Sequence, residues 1–538
     1  MVLEAEVGTT STGGGSSYRR WPARRTMAGW AGWGLLVILL FLAAYRQARQ
    51  LGVQSDGASD ALQAWQMLHG NFLLRGWRVA DVSYYTTELP LLMAIEVVRG
   101  LRTDVVAISS AVNYTLVVVF GALVAKGRAS GREGIVRAVL AAGIMFAPSM
   151  AASGWLLNDP DHAATVLWLL FALLVIEWGG RRWYVPVLVG LILAWATVGD
   201  SLVEVIGAGP LVLVGVARAA PGLFQRQVRL RERWYELSLA AAGLLSVVVA
   251  AVVIRVIASA GGWVVLRAGK QFVQSSKLPA NLAVEVQDFF ALFSADFFGH
   301  KVDTKFLPVL IHLAGVAVVA LAIWLTVRSL SRSYPRAGGD FVTDIVIVAI
   351  ACNLAAYLLL YSAKTDQIRE VSAVLALGAV LAGRVLGGPL ARNRLEPVLA
   401  VGILAYLLTM GPALTGPAGQ PANQPLAKWL ESQHLTNGIG GYWQANSVTL
   451  DSGMRVTVRP VKGGAGGRAI PDLWEIDLSQ LAAAQNSANF LVLTSSSAAA
   501  NPPITRAGAT RQFGEPAHVY HYRDYTILVW NKNILSSL

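Results

Sequence analysis

The chain has 538 residues, 55% of them hydrophobic and only 14% charged, with a mean hydropathy of +0.52. Soluble domains carry about one quarter charged residues, so the composition excludes an ordinary soluble protein and reads as an integral membrane protein. The net charge of +12 lies in basic clusters between apolar runs, a pattern that orients a chain in a bilayer and needs no nucleic-acid partner.

Residues 1–28 are rich in Gly, Ser and Thr and then basic (Arg19, Arg20, Arg24, Arg25), which predicts a disordered cytoplasmic tail. A membrane domain is expected over 29–414. Its first span runs from Trp30 to about Tyr45, and the arginines before it put the N-terminus in the cytoplasm. The stretch from Gln54 to Pro90 is therefore external. It is too polar to cross a bilayer and holds Asp56, Asp60, Asp81 and Glu88 among aromatic and small residues. Within it, Leu62, Trp65 and Leu68 share a helical face, which predicts a helix lying on the membrane.

Further spans are expected at about Val105–Val124, Ala138–Leu157, Ala163–Trp178, Tyr184–Val198, the segment from Ser201 to Val216, and Leu237–Ile257. The outer segment from Ala258 to Lys305 follows, broken by Lys270, Lys277, Pro279, Glu285, Asp288, Asp296 and His300, and reads as interfacial helices and a loop. The last spans are Phe306–Val327, Phe341–Tyr361, Val371–Leu386 and Pro397–Leu414. The only cysteine, Cys352, lies inside one of them, leaving no intramolecular disulfide and no cysteine-based metal site. This makes about eleven spans, and the strongly basic loops all fall on one side under this assignment. No internal repeat relates two halves, unlike transporters built by duplication.

A Gly/Pro-rich linker is expected over 415–425 and an extracytoplasmic domain over 426–538. Ala427–His434 has helical character. Ser447–Val458, Asn489–Thr494, His518–Tyr522 and Tyr525–Trp530 read as strands, so the domain is expected to be small and α/β. The whole is thus a polytopic α-helical membrane protein with a small C-terminal α/β domain.

Ionisable residues collect at the external ends of the spans. Asp56 and Asp60 follow the first, Asp159, Asp161 and His162 the third, and Asp200 the fifth, with Glu204 about one turn into the sixth. Acids near membrane depth are costly and tend to be functional. Each has a plainer alternative: Asp161 and Asp200 are well placed to cap the helices that follow them. Acids at successive outer turns together favour a shared site. Trp77, Tyr84 and Tyr85 could stack on a sugar, or belong to the aromatic belt at the bilayer boundary. Gly440-Gly441-Tyr442-Trp443 invites a carbohydrate-binding reading, against buried packing.

A first span followed by an outer Asp, then Ala61, Met67-Leu68 and Gly70, and then Thr87-Glu88-Leu89-Pro90, resembles the GT-C glycosyltransferases. The nearest flavour is the protein mannosyltransferases and the aminoarabinose transferase acting on lipid A. The resemblance spans roughly Trp30 to Leu414 and implies a GT-C fold, a polyprenyl-phosphate-linked sugar donor and a hydroxyl acceptor on a glycan, lipid or protein. It implies that Asp56 is the essential acid of the first external loop and that Asp159 or Asp161 is the second acidic position. Arg369, in Asp366-Gln367-Ile368-Arg369-Glu370, matches the arginine that faces the donor phosphate. The sequence departs there, because Glu370 stands where the family continues with an aromatic or apolar residue and a proline.

The residue chemistry agrees with this class. Glycosyl transfer to a hydroxyl needs a carboxylate to take the acceptor proton, and the anionic leaving group needs cations. Asp56, Asp161 and His162 are the candidate catalytic residues. Asp60, Asp159, Asp200, Arg369, Lys364 and Tyr85 are candidate substrate contacts, with Lys270 and Lys277 either phosphate or headgroup contacts. Paired acids could also hold a divalent cation, Mg or Mn, against the phosphate. The alternatives are a transporter or flippase of lipid-linked glycans, which would need polar residues buried mid-span, and a non-catalytic scaffold at the cell envelope. The protein is expected in the cell membrane, with its C-terminal domain extracytoplasmic.

Overall fold

The computed structural model describes residues 24–158, 162–224, 233–266, 271–299, 301–302, 306–333, 340–360, 367–494 and 503–538. Six of its helices are long and apolar enough to cross a membrane: Ala31–Leu51, Asp104–Lys126, Trp234–Ser259, Leu307–Arg332, Phe341–Leu360 and Ile368–Arg392. Ala163–Gly179, Tyr184–Gly199 and Glu396–Thr409 are shorter apolar helices. Leu35, Leu36 and Leu39 on the first long helix, and Leu244, Leu245 and Val248 on Trp234–Ser259, are more than half exposed. Apolar stripes of this kind suit a lipid solvent. Ile368–Arg392 is the inner helix of the bundle, 94% of its span being buried.

Some expected spans are not straight helices. The third is broken into Gly131–Met145 and Met150–Leu156, bent by 100°. Pro148 lacks an N–H and cannot continue the first piece. The groups freed at the break find partners: the Met145 carbonyl accepts from the Tyr114 hydroxyl at 2.6 Å, the Pro148 carbonyl from Gln47 at 2.9 Å, and Ser149 caps the second piece. The sixth begins as a π-helical segment, Glu204–Ala208. Pro210 follows closely, and its ring crowds the carbonyl four residues back, which pushes that turn outward.

The C-terminal part builds a six-stranded sheet in the order Ala469–Pro471, Thr457–Gly463, Asn437–Gly440, Phe490–Thr494, Tyr525–Val529, His518–Tyr522. Thr457–Gly463, Asn437–Gly440 and Phe490–Thr494 run parallel, and the remaining pairings are antiparallel. Residues 447–451, expected as strand, belong instead to the helix Tyr442–Asp451. Their polar/apolar alternation is real, but Ala445, Val448 and Leu450 are buried on more than one side of the element. Packing on several faces thus overrides the period-two pattern.

A second, three-stranded sheet joins this part to the membrane bundle. Trp77–Val79 pairs in parallel with Val264–Val265 and antiparallel with Ile476–Asp477. Gly76, at φ +88, makes the approach; a Cβ there would lie 2.6 Å from Asp477 Oδ1, so only glycine fits. The helix in the first loop also departs from expectation. It spans Ser55–Leu68 and is buried along most of its length, packed against the bundle and the helix Tyr442–Asp451. Small residues on several faces (Gly57, Ala58, Ser59, Ala61, Ala64) let it sit between protein layers, whereas a surface-lying helix would keep one polar face wet.

Candidate active site

Asp56 lies in the first turn of Ser55–Leu68, where unpaired backbone N–H groups and the helix dipole favour an anion. Its Oδ1 accepts a hydrogen bond from the Tyr442 hydroxyl, and its Oδ2 is 3.7 Å from Arg369 Nη1. Ser55 fixes the register between the two parts of the chain by donating to the Tyr442 carbonyl at 2.6 Å. The Tyr442 hydroxyl oxygen is also 2.6 Å from Glu475 Oε2.

One hydroxyl proton cannot serve two carboxylates. If Tyr442 donates to Asp56, Glu475 must bring its own proton and donate to the Tyr442 oxygen. Burial pushes the Glu475 carboxyl well above the usual carboxylate range, and the Asp56 charge pushes it the same way. Glu475 is therefore the protonated partner of the Tyr442 hydroxyl. The chain of hydrogen bonds runs from Glu475 through Tyr442 to the Asp56 carboxylate, next to the Arg369 guanidinium.

Arg369 and Glu370 occupy one 3₁₀ turn, Ile368–Val371, and turn toward different partners. Arg369 meets Asp56, while Glu370 Oε2 lies 3.8 Å from His162 Nε2. The residue at which the sequence departs from the GT-C pattern thus has a partner of its own. His162 Nδ1 is 2.6 Å from Asp200 Oδ2, which also accepts from the Thr165 hydroxyl at 2.6 Å. The Leu202 N–H donates to Asp200 Oδ1 at 2.8 Å. Burial alone would lower the His162 pKa, but Asp200 and Glu370 raise it well above the ordinary value. Burial alone would raise the Asp200 pKa, but His162 and the hydrogen bonds hold it below the ordinary carboxylate value. The two form a buried ion pair.

The Tyr84 ring lies 6.2 Å from that of His162, tilted by 52°, and in the field of Asp200, Glu88, Arg369 and Asp60. Ser83 and Tyr84 donate their backbone N–H groups to the Gly199 carbonyl at 3.1 and 2.9 Å. A Cβ at Gly199 would come within 2.7 Å of Thr87, so this glycine permits the contact. Tyr84, His162 and Glu475 all adopt left-handed φ values, +49, +57 and +47. Non-glycine residues held there cost about 1 kcal/mol or more, and such strain gathers at functional sites.

Of the residues singled out from sequence, the structure thus brings Asp56 and Arg369 into one constellation and links it to His162 and Asp200 through Glu370. Asp60 is one helical turn beyond Asp56, buried, and accepts from Gln63 at 3.3 Å. Asp81 is exposed and lies within electrostatic range of Glu370, His162 and Arg369. Tyr85 points elsewhere: its hydroxyl donates to the Phe72 carbonyl at 2.9 Å, and its ring packs 5.5 Å from Trp263. Glu88 accepts from Thr87 inside the fold. Asp159, Asp161, Lys364 and Lys270 lie outside the described residues. No three His, Cys, Asp or Glu side chains converge as metal ligands among the described residues.

Sequence reasoning did not place Glu370, Tyr442 or Glu475 in the site. Tyr442 carried a signal in Gly440-Gly441-Tyr442-Trp443, though as a sugar-stacking ring and not as a hydrogen-bond bridge. Glu475 stands between Trp474 and Ile476, an acid in an apolar setting, which is a weak hint of burial.

The neutral Glu475 has a measurable consequence. A carboxyl whose pKa is raised on folding adds stability that is full below its unfolded value and is lost as pH rises through the folded value. Stability against thermal unfolding is therefore expected to fall as pH rises above about 4.5, at up to roughly 1.4 kcal/mol per pH unit. Glu475→Gln keeps a donor to Tyr442 and is expected to flatten that slope. An unchanged slope in the variant would mean that Glu475 is ionised in the fold.

The chain is similar in structure to ArnT from Cupriavidus metallidurans bound to undecaprenyl phosphate, with 13% identity and a TM-score of 0.54, over 92% of this chain and 98% of that one. It is less similar to the Archaeoglobus fulgidus oligosaccharyltransferase tethered with an acceptor peptide, with 14% identity and a TM-score of 0.47, over 86% of this chain and 69% of that one. No family model matches the chain, and no curated protein matches it in sequence. What it shares with ArnT is the fold, a polytopic helical membrane architecture with a strand-containing C-terminal part.

Proposed function

We propose that the protein is a glycosyltransferase that moves a sugar from a polyprenyl-phosphate donor to a hydroxyl acceptor at the external face of the membrane. The observation that carries this reading is the Asp56 carboxylate held between Tyr442 and Arg369. Asp56 takes the acceptor proton as the new bond to the anomeric carbon forms. The bond from that carbon to the phosphate oxygen breaks, and the electron pair leaves with the polyprenyl phosphate. Arg369 stands beside the base to receive the anionic phosphate. His162, Asp200 and Glu370 position the 3₁₀ turn that presents Arg369, and Asp159, Asp161 and Lys364 are proposed as further contacts. The likeness in fold to ArnT, crystallised with undecaprenyl phosphate, supports a lipid-phosphate donor.

The test is transfer of labelled sugar from a panel of polyprenyl-phosphate sugars into membranes with and without the chain. Label is expected in an acceptor fraction from at least one donor, only when the chain is present. Label that instead crosses the membrane still attached to its polyprenyl carrier would support the flippase alternative and sink this one.

A further inference from the structure

Arg459 lies in the strand Thr457–Gly463 and is only 4% exposed. Its Nη2 makes one long contact, 3.4 Å to Asn437 Oδ1. Its Nε and Nη1 meet no hydrogen-bond partner among the described residues. Buried guanidinium groups are ordinarily paired, because an unpaired buried charge forfeits its hydration. The carboxylate whose field reaches Arg459 is that of Asp477, but its oxygens already serve other donors. They accept from Gln66 at 3.0 Å, the Ser479 hydroxyl at 2.6 Å, the Ser479 N–H at 3.0 Å and Gln480 at 3.3 Å. Arg459 is left with a charge and donors to spare.

It lines a cavity of about 300 Å³ between the C-terminal sheet and the first loop of the bundle, at the lower end of the range for small-molecule pockets. Asn437, Asn446, Thr449 and Asn486 line it as well, with Trp77 on one wall. Amides and hydroxyls at this density both donate and accept, which suits a ligand rich in hydroxyl groups. A single guanidinium with a carboxylate nearby balances a monoanion better than a dianion. We propose that this cavity is a subsite for a carboxylate-bearing sugar unit, its carboxylate on Arg459 and its hydroxyls on the surrounding amides.

The subsite adjoins the candidate active site. Tyr442, Asn446 and Thr449 fall on one face of the helix Tyr442–Asp451, at i, i+4 and i+7. Tyr442 meets Asp56, while Asn446 and Thr449 face the cavity. Four residues of helix rise about 6 Å, so an occupant lies about one helical turn from the Tyr442–Asp56 contact. Asn446 also donates to the Glu475 carbonyl at 3.2 Å. The proposal rests on Arg459 and its cavity and not on the reaction at Asp56, so either can fail alone.

The experiment is a saturation-transfer NMR titration of the full chain in detergent with methyl β-D-glucuronide, methyl β-D-glucoside and inorganic phosphate. Saturable glucuronide binding is expected, at least tenfold tighter than the glucoside, and weakened at least tenfold in Arg459→Gln. Thr457→Trp, which keeps the guanidinium and fills the cavity from a strand position that tolerates aromatic residues, is expected to weaken it as much. This second variant keeps the test decisive if Arg459→Gln does not fold. Absence of saturable glucuronide binding, binding untouched by the variants, or phosphate bound more tightly than glucuronide would each overturn the assignment.

Discussion

Asp56→Asn is expected to lower sugar transfer by about 10²–10⁴-fold, the range over which general-base catalysis contributes, with little change in thermal stability. Asparagine keeps the shape of the side chain and can still accept from Tyr442, so the contact between the first loop and the C-terminal part survives. What disappears is the basic oxygen that takes the acceptor proton. Tyr442→Phe separates basicity from position. It removes the hydrogen bond to Asp56 and leaves the carboxylate beside Arg369, so a loss of about tenfold is expected, of the order of one hydrogen bond to a charged group. The measurement is initial rate of label transfer by purified variants at saturating donor. Equal rates for wild type and Asp56→Asn would remove Asp56 from the chemistry.

How much of this was legible in the sequence differs from residue to residue. Apolar runs between basic loops are one-dimensional features, so helices such as Ala163–Gly179 and Phe341–Leu360 begin where the composition puts them. Asp56 was legible for a related reason, as an acid placed immediately after a span. The bend at Pro148 and the π segment before Pro210 were less so, because a proline inside an apolar run marks a break without giving its angle. Tyr442 and Glu475 stand hundreds of residues beyond Asp56, and nothing local to them encodes the contact. It depends on the pairing of Trp77–Val79 with Ile476–Asp477, a tertiary event whose register is set by two distant short strands. Glu370 shows the converse. It was visible as a departure from a pattern, and only the position of His162 gives that departure a physical reason.

His162 should be among the least replaceable residues outside the proposed chemistry. It is 2% exposed, holds a left-handed backbone, and places a positive charge between Asp200 and Glu370. His162→Ala leaves the buried Asp200 carboxylate without its counter-charge, and breaking a buried pair in this way costs about 3–5 kcal/mol. A marked fall in apparent unfolding temperature is expected. Removing the orphaned charge as well, in His162→Ala with Asp200→Asn, is expected to restore part of the loss, which identifies the pair as the cause. The pH dependence has a fixed sign. The raised His162 pKa contributes stability that is full below about pH 6.5 and lost as pH rises through its folded value. The lowered Asp200 pKa contributes stability present above about pH 3.9 and lost as pH falls through its folded value. The alkaline decline due to His162 should disappear in His162→Ala. Transfer should fall too, because Glu370 and Arg369 share one turn and releasing the first loosens the second. A His162→Ala protein as stable as wild type, with the same alkaline limb, would show that the pair contributes nothing net and that Asp200 is neutral in the fold.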